Sequence, residues 1–240
     1  MKRKDFLVHS FGFLGLGTIL FGASKRRVAG EAYSLGYKTH GCPVTPTAEE
    51  GPFPFPGGEK TNPFFRSDIR DGQTGIPLFF YFKVVNTNDN CAIVPGARVD
   101  IWHCNKDGYY SGYGRQTGKL GTQNHVGKTW LRGYQNSDSK GQLNFETIYP
   151  GWYPGRATHI HLEVFVNKVL RKQVQLTFPE TLSDKVHRTP LYGTHGINPV
   201  RNDSDFVFRN SLTDLGNETV SISGDNEKGY ISAYTIGLDL

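Results

Sequence analysis

The segment Arg156-Ala157-Thr158-His159-Ile160-His161-Leu162-Glu163-Val164-Phe165-Val166 sets two imidazoles two residues apart. Ile160, Leu162, Val164 and Val166 alternate as one face of a strand does, so His159 and His161 share the opposite face. Two imidazoles so placed can grip one metal ion, although histidines also pack in half-buried strands without any ligand. The tight turn Tyr149-Pro150-Gly151-Trp152-Tyr153-Pro154-Gly155 feeds directly into this strand and brings the phenol of Tyr153 within reach of the same point. A second cluster of phenols, in Gly108-Tyr109-Tyr110, follows the apolar run Val99-Asp100-Ile101-Trp102.

Two phenols and two imidazoles, with no thiolate or carboxylate, make a selective donor set. Phenolate oxygen is hard and strongly donating, and it suits Fe(III) better than divalent ions, whose usual sets are imidazole with thiolate or carboxylate. A free tyrosine has a pKa of about 10, so it needs a highly charged cation beside it to ionise at neutral pH. Two phenolates also leave the site with little net charge, which favours the ferric state. An Fe(II) oxygenase would instead use two histidines and one carboxylate.

Such donors need a rigid frame, and the surrounding pattern is β. Aromatic residues make up 13% of the 240 residues, beside 29 Gly and 13 Pro, a mix that favours strands and turns over a helical bundle. Strands are expected at 78–85 (a nearly continuous apolar run, read as buried on both faces), 97–103, 142–148, 158–166, 172–178, 206–208, 219–223 and 231–236. No amphipathic helix of three or more turns is visible beyond the leader. The expected fold class is therefore all-β, an antiparallel β-sandwich with long functional loops. Residues 31–75, with GPFPFPGG at 51–58, read as an extended N-terminal arm that wraps the core, and 76–240 as the sandwich domain. The Gly-rich loop 104–130, which carries Tyr109, Tyr110 and Tyr113, is long enough to suggest a functional role.

Three stretches together resemble the intradiol ring-cleavage dioxygenases, the family of protocatechuate 3,4-dioxygenase and catechol 1,2-dioxygenase. They are VDIWHCNKDGYYSGY (99–113), RGYQNSDSKGQLNFETIYPGWYPGRATHIHLEV (132–164) and TPTAEEGPFPF (45–55). The resemblance covers roughly residues 42–180, and the PGWY…GRxxHIH block is its most specific part. It implies one Fe(III) per chain, held by Tyr110 (not its neighbour Tyr109), Tyr153, His159 and His161. It also implies a catechol-type diol and O₂ as substrates, cleaved between the two hydroxylated carbons to a muconate-type product. In that scheme Tyr153 gives up the metal and takes a proton, and Arg156 stabilises charge developing on the ring. Gln175, in the QLTF run, would hold Arg156 or the substrate.

One departure is GPFP, with Pro54 where the family commonly has Tyr, which bears on the substrate pocket and not on the iron. Residues 31–75 are also too short and too Gly/Pro-rich for the helical dimerisation region of catechol 1,2-dioxygenases. The likeness is thus to protocatechuate-like and exported members, and with the full donor set the chain could work alone, as a homo-oligomer or as the iron-bearing half beside a partner subunit. Tyr113 and Tyr134 read as packing or supporting groups, Trp102 as core, and Trp152 as packing for the turn that aims Tyr153. His103, His125, His187 and His195 are assigned no role.

The net charge of +5 does not signal a nucleic-acid partner. Residues 1–30 hold six basic side chains against Asp5 alone, leaving 21 basic and 21 acidic over the rest of the chain. A phosphate-binding protein concentrates its positive charge on the folded domain. The basic start and the apolar run Phe11–Ala23 read as an export leader, too short to span a bilayer, and Arg3-Lys4-Asp5-Phe6-Leu7 resembles a twin-arginine signal with one Lys. Export predicts a periplasmic or secreted protein, with no stable membrane association once the leader is removed. Such a compartment permits a disulfide, with Cys91–Cys104 closing a short loop and Cys42 left over. The competing readings are a metal-free, transthyretin-like exported binding module and a structural exported sandwich. Retention of all four donors argues against both.

Overall fold

The computed structural model describes residues 42–240. The leader and the start of the arm, and with them the export signal, lie outside the described residues. Along the chain come β1 (Pro77–Asn86), β2 (Ala92–Ile93), β3 (Arg98–Trp102), β4 (Gln116–Gly118), β5 (Gly121–Gln123) and β6 (Arg132–Asn136). They are followed by β7 (Gln142–Ile148), β8 (His159–Val166), β9 (Val169–Thr177), the short helices α1 (Glu180–His187) and α2 (Leu212–Glu218), β10 (Ser221–Asp225) and β11 (Gly229–Leu238).

Two sheets carry the fold. One is antiparallel in the order β6-β3-β8-β9; in the other, β1 lies between β11 on one side and β7 with the short β2 on the other, and β10 extends it beyond β11. Alternation explains how they pack. Leu78, Phe80, Phe82 and Val84 of β1, with Phe145, Ile236 and Leu238, face Val99, Ile101, Ile160, Leu162, Val164, Val174 and Leu176 of the other sheet across one continuous apolar core. This is the all-β sandwich.

The structure refines several expectations. β1 alternates buried and half-buried positions instead of being buried on both faces, because Phe79, Tyr81 and Lys83 lie on the outer side. Its pairing with β11 is parallel, which a connection of such length permits and a hairpin does not. The strand expected at 206–208 is absent; Phe208–Asn210 forms a single 3₁₀ turn, and the Asp205 carboxylate accepts the Val207 N–H at 2.8 Å in place of a ladder partner. The loop 104–130 contains the β4–β5 hairpin. β6 and both helices have no counterpart in the sequence reading.

The cysteine pairing is corrected. Cys42 bonds Cys91, tying the start of the described arm to the β1–β2 turn, while Cys104 is free and buried. Cys104 follows β3 and turns inward against Trp102 and Tyr110, so its thiol never meets the β1–β2 turn. Among the described residues, no helix is long and apolar enough to cross a membrane.

Candidate metal centre

His159 and His161 enter the site because β8 lies inside the sheet, between β3 and β9. The face opposite Ile160 and Leu162 therefore looks onto the arm and loops, not water. Their Nε2 atoms stand 3.1 Å apart. The Tyr153 hydroxyl lies 3.2 Å from His159 Nε2, and the Tyr110 hydroxyl lies 3.2 Å from His161 Nε2. Four donor atoms from three separate segments thus converge on one small volume. Tyr109, beside Tyr110, points elsewhere and donates its hydroxyl to the Gly121 carbonyl at 2.7 Å.

Close backbone contacts aim the two tyrosines. Gly108 has φ of +84°, and a Cβ there would fall 2.1 Å from the Trp152 carbonyl oxygen, so only glycine lets the Tyr110 loop lie against the Tyr153 turn. His195, assigned no role above, secures the same turn, its Nε2 lying 2.5 Å from the Trp152 carbonyl. Trp152 itself donates its indole N–H to Gly196 O at 2.8 Å. The arm closes the opposite side. The Phe53 ring stacks on Tyr110 at 4.7 Å, and the Tyr113 hydroxyl donates to Pro54 O at 2.5 Å. A Cβ on Gly51 (φ +84°) would come within 2.7 Å of His161 Cε1.

The electrostatics hold all four donors neutral. Burial pushes both phenols up, Tyr153 to about 12 against the opposing pull of Arg156, and Tyr110 well above the ordinary tyrosine range, with Tyr153 and Cys104 adding to it. Burial, with Arg156 nearby, lowers His159 to about 3, and burial and His159 carry His161 well below its ordinary value. His159 Nδ1 donates to the Ala157 carbonyl at 2.6 Å, so its lone pair is on Nε2 and faces the centre. The His161 ring lies parallel to Trp102 at 4.9 Å, and its buried Nδ1 has no partner.

The donor set fits a metal cation. Bonds of about 2 Å from one ion place neighbouring donors roughly 3 Å apart, which is the spacing along this row. Two neutral imidazoles and two phenols that a cation would ionise also match a hard, highly charged ion. Glu163 lies two residues beyond His161, but it accepts the Gln173 amide at 2.8 Å instead of joining the row. Among the described residues no three His, Cys, Asp or Glu side chains gather for a metal, so a two-histidine, one-carboxylate site is not formed.

Arg156 and Gln175 also come together. Arg156 Nη2 donates to Gln175 Oε1 at 2.5 Å, and Gln175 Nε2 donates to the arm at Glu49 O at 2.8 Å. Gln175 therefore holds the arginine. Asp205, which the sequence reading passed over, accepts from Arg156 Nε at 2.9 Å; an aspartate in an irregular loop, 49 positions from its partner, carries no local signal.

The candidate centre is thus two tyrosines and two histidines gathered by the central strand and loops of a β-sandwich. A family model described as "Dioxygenase" matches residues 50–191, and the chain belongs to the intradiol ring-cleavage dioxygenase family. It is 28% identical over 109 residues to catechol 1,2-dioxygenase of Pseudomonas sp. (strain EST1001), a match covering 45% of this chain and 32% of that enzyme. The chain thus spans about a third of the length of that curated relative. The fold is similar to that of the intradiol ring-cleavage dioxygenase from Tetranychus urticae, with TM-score 0.72, 25% identity and coverage of 82% of this chain and 95% of that one. It is also similar to the dioxygenase domain of a carbohydrate-binding fusion protein from Streptomyces sp. SirexAA-E, with TM-score 0.59, 22% identity and coverage of 82% and 99%.

Proposed function

We propose that this protein cleaves a catechol-type aromatic diol between its two hydroxylated carbons, incorporating both atoms of O₂ into a muconate-type product. Tyr110, Tyr153, His159 and His161 would hold one ferric ion. The observation that carries this reading is the row of four buried donor atoms at 3.1–3.2 Å spacing. When bound, ferric iron acts as a Lewis acid that ionises the diol and draws electron density from it, opening the ring to O₂.

The protein's own groups supply the rest. Tyr153 is half-buried while Tyr110, His159 and His161 are fully buried, so Tyr153 is the donor with room to swing aside and take a proton from the incoming diol. The guanidinium of Arg156, fixed by Gln175, presents positive charge where the substrate ring gains negative charge, an interaction that strengthens toward the transition state. Phe53 and Trp102 pack the deep side and keep water from the donors.

The disulfide between Cys42 and Cys91 supports placement outside the cytoplasm, since such bonds persist in oxidising compartments.

The test is optical and chemical. Aerobically expressed protein should contain about one iron per chain and be burgundy from tyrosinate-to-iron charge transfer, and Tyr153→Phe should shift that band. An oxygen-uptake panel of catechol, protocatechuate and hydroxyquinol should identify the substrate, with a muconate-type product. Colourless protein that retains no iron on dialysis would reject the reading in favour of a metal-free binding module.

A further inference from the structure

The guanidinium of Arg156 is gripped from two sides. Gln175 Oε1 takes Nη2 at 2.5 Å, and Asp205 Oδ2 takes Nε at 2.9 Å. The same Asp205 oxygen accepts the Ala157 backbone N–H at 2.6 Å, and its other oxygen accepts the Val207 N–H at 2.8 Å. Burial raises the Asp205 carboxyl, but the bonds from Arg156, Ala157 and Val207 outweigh it and leave its pKa below the ordinary value, so the group is an anion. It is 1% exposed, whereas the next residue, Phe206, is 51% exposed and sets its ring 4.9 Å from the guanidinium carbon. Residue 205 lies beyond the 50–191 span of the family match.

We propose that Asp205 is the positioning residue of the reaction: it fixes the plane and direction of the Arg156 guanidinium, and it acts on the substrate only through that arginine. The proposal rests on the ring-cleavage reading above. A guanidinium is a rigid plane, so holding Nε and Nη2 determines where Nη1 points. One acceptor alone would leave the plane free to rotate about that bond. With Gln175 on one side and Asp205 on the other, the rotation is closed. The Ala157 bond places the same carboxylate at the start of β8, so the arginine is referenced to the strand that carries both histidines. Phe206 covers the outer face of the guanidinium and limits its contact with water, which keeps its charge effective.

The experiment is a double-mutant cycle of Asp205→Ala and Arg156→Ala, with Asp205→Glu as the conservative variant. Asp205→Ala should lower kcat about a hundredfold, the scale of a 1 Å misplacement of a catalytic group, with KM little changed and iron content and visible band retained. In the Arg156→Ala background the same change should have almost no further effect on kcat, and Asp205→Glu should recover part of the loss. Full additivity, or wild-type kcat in Asp205→Ala, would overturn the proposal. So would lost iron with unchanged kcat per iron, because Asp205 would then serve only Ala157 and His159. If Asp205→Ala folds poorly, Asp205→Asn keeps the size but not the charge, and an unchanged kcat there is equally fatal. Should the wild-type protein cleave no diol, the function fails separately. The positioning claim is still decided by a crystal structure of Asp205→Ala, in which Arg156 should leave Gln175; an unmoved guanidinium refutes it.

Discussion

Two buried polar clusters clamp the arm onto the sheet β6-β3-β8-β9, and they differ in how their charges are met. In one, Arg98 donates to Asp100 at 2.7 and 2.8 Å and to the Glu59 carbonyl at 2.7 Å. Arg132 in the same cluster donates to Phe53 O at 2.7 Å and Ser111 O at 3.0 Å and stands 3.6 Å from the Glu59 carboxyl. Most of these groups have protein partners. In the other, Tyr110, Tyr153, His159 and His161 turn their polar atoms toward one another, and burial favours their neutral forms. The first cluster is met by protein groups except at Arg132 Nη1, which has no hydrogen-bond partner and faces the Glu59 carboxyl; the second is a set of lone pairs gathered around a point. Burial of polar groups therefore does not distinguish scaffold from site. The direction in which their unsatisfied capacity points does.

The sharpest way to break this comparison is Tyr110→Phe. The variant keeps the ring that stacks on Phe53 at 4.7 Å and removes only the donor oxygen. Ring cleavage should fall by more than about a hundredfold, the upper cost of losing a mere supporting partner of a metal ligand, and the visible band should change. The melting temperature should stay within about 3 °C of wild type. Tyr109→Phe, whose hydroxyl serves Gly121, should keep the band. Wild-type turnover in Tyr110→Phe would remove that residue from the site.

Arg132→Met tests the other cluster. Removing one partner of a buried charged network costs about 3–5 kcal/mol, read as a fall of roughly ten degrees in melting temperature. The folded fraction should retain its visible band, since Arg132 bonds Ser111 and Phe53 and meets Tyr110 only over its ring face, 5.9 Å from the centroid, not at the donor oxygen. A variant as stable as wild type but colourless would reverse the roles assigned to the two clusters.

The legibility of these two clusters from sequence was unequal, for a physical reason. HxH alternation and the Pro/Gly turn are local patterns, so His159, His161 and Tyr153 could be placed on one strand face and its approach. Choosing Tyr110 over Tyr109 needed the family resemblance, because either phenol of an adjacent pair can be turned inward by the loop. Glu59, Asp100, Arg132 and Asp205 carry no such pattern. Their partners are brought in by tertiary packing, as with Asn62 and Asp100 across 38 positions. The Cys42–Cys91 bond was missed likewise, since proximity in sequence favoured Cys91 with Cys104, and the arm's return to the β1–β2 turn decides otherwise. Short helices such as α1, eight residues long, fall below the length at which periodicity declares itself.

The smallest effect expected is the share of the pH slope of stability that the scaffold cluster carries. Burial raises the Glu59 carboxyl from 4.5 to about 8, against the opposing pull of Arg132. Its folded pKa exceeds its unfolded one, so the folded protein binds the extra proton between those values. The stability it contributes is fully present below pH 4.5 and is lost as pH rises toward 8. Asp100, raised by burial to about 6, acts in the same direction over a lower window. The buried histidines act in the opposite direction and below their ordinary value of 6.5, so from about 6.5 to 8 the slope comes chiefly from Glu59 and from Glu218, which burial likewise raises to about 8. Denaturant unfolding across that interval should show wild-type stability declining with pH and Glu59→Gln declining less steeply, the remaining slope belonging to Glu218, because glutamine keeps an acceptor for the Phe55 N–H but cannot ionise. The iron band of Glu59→Gln should match wild type throughout. An equal slope in both proteins would mean that Glu59 is charged in the fold and that its pairing with Arg132, not its desolvation, governs the cluster.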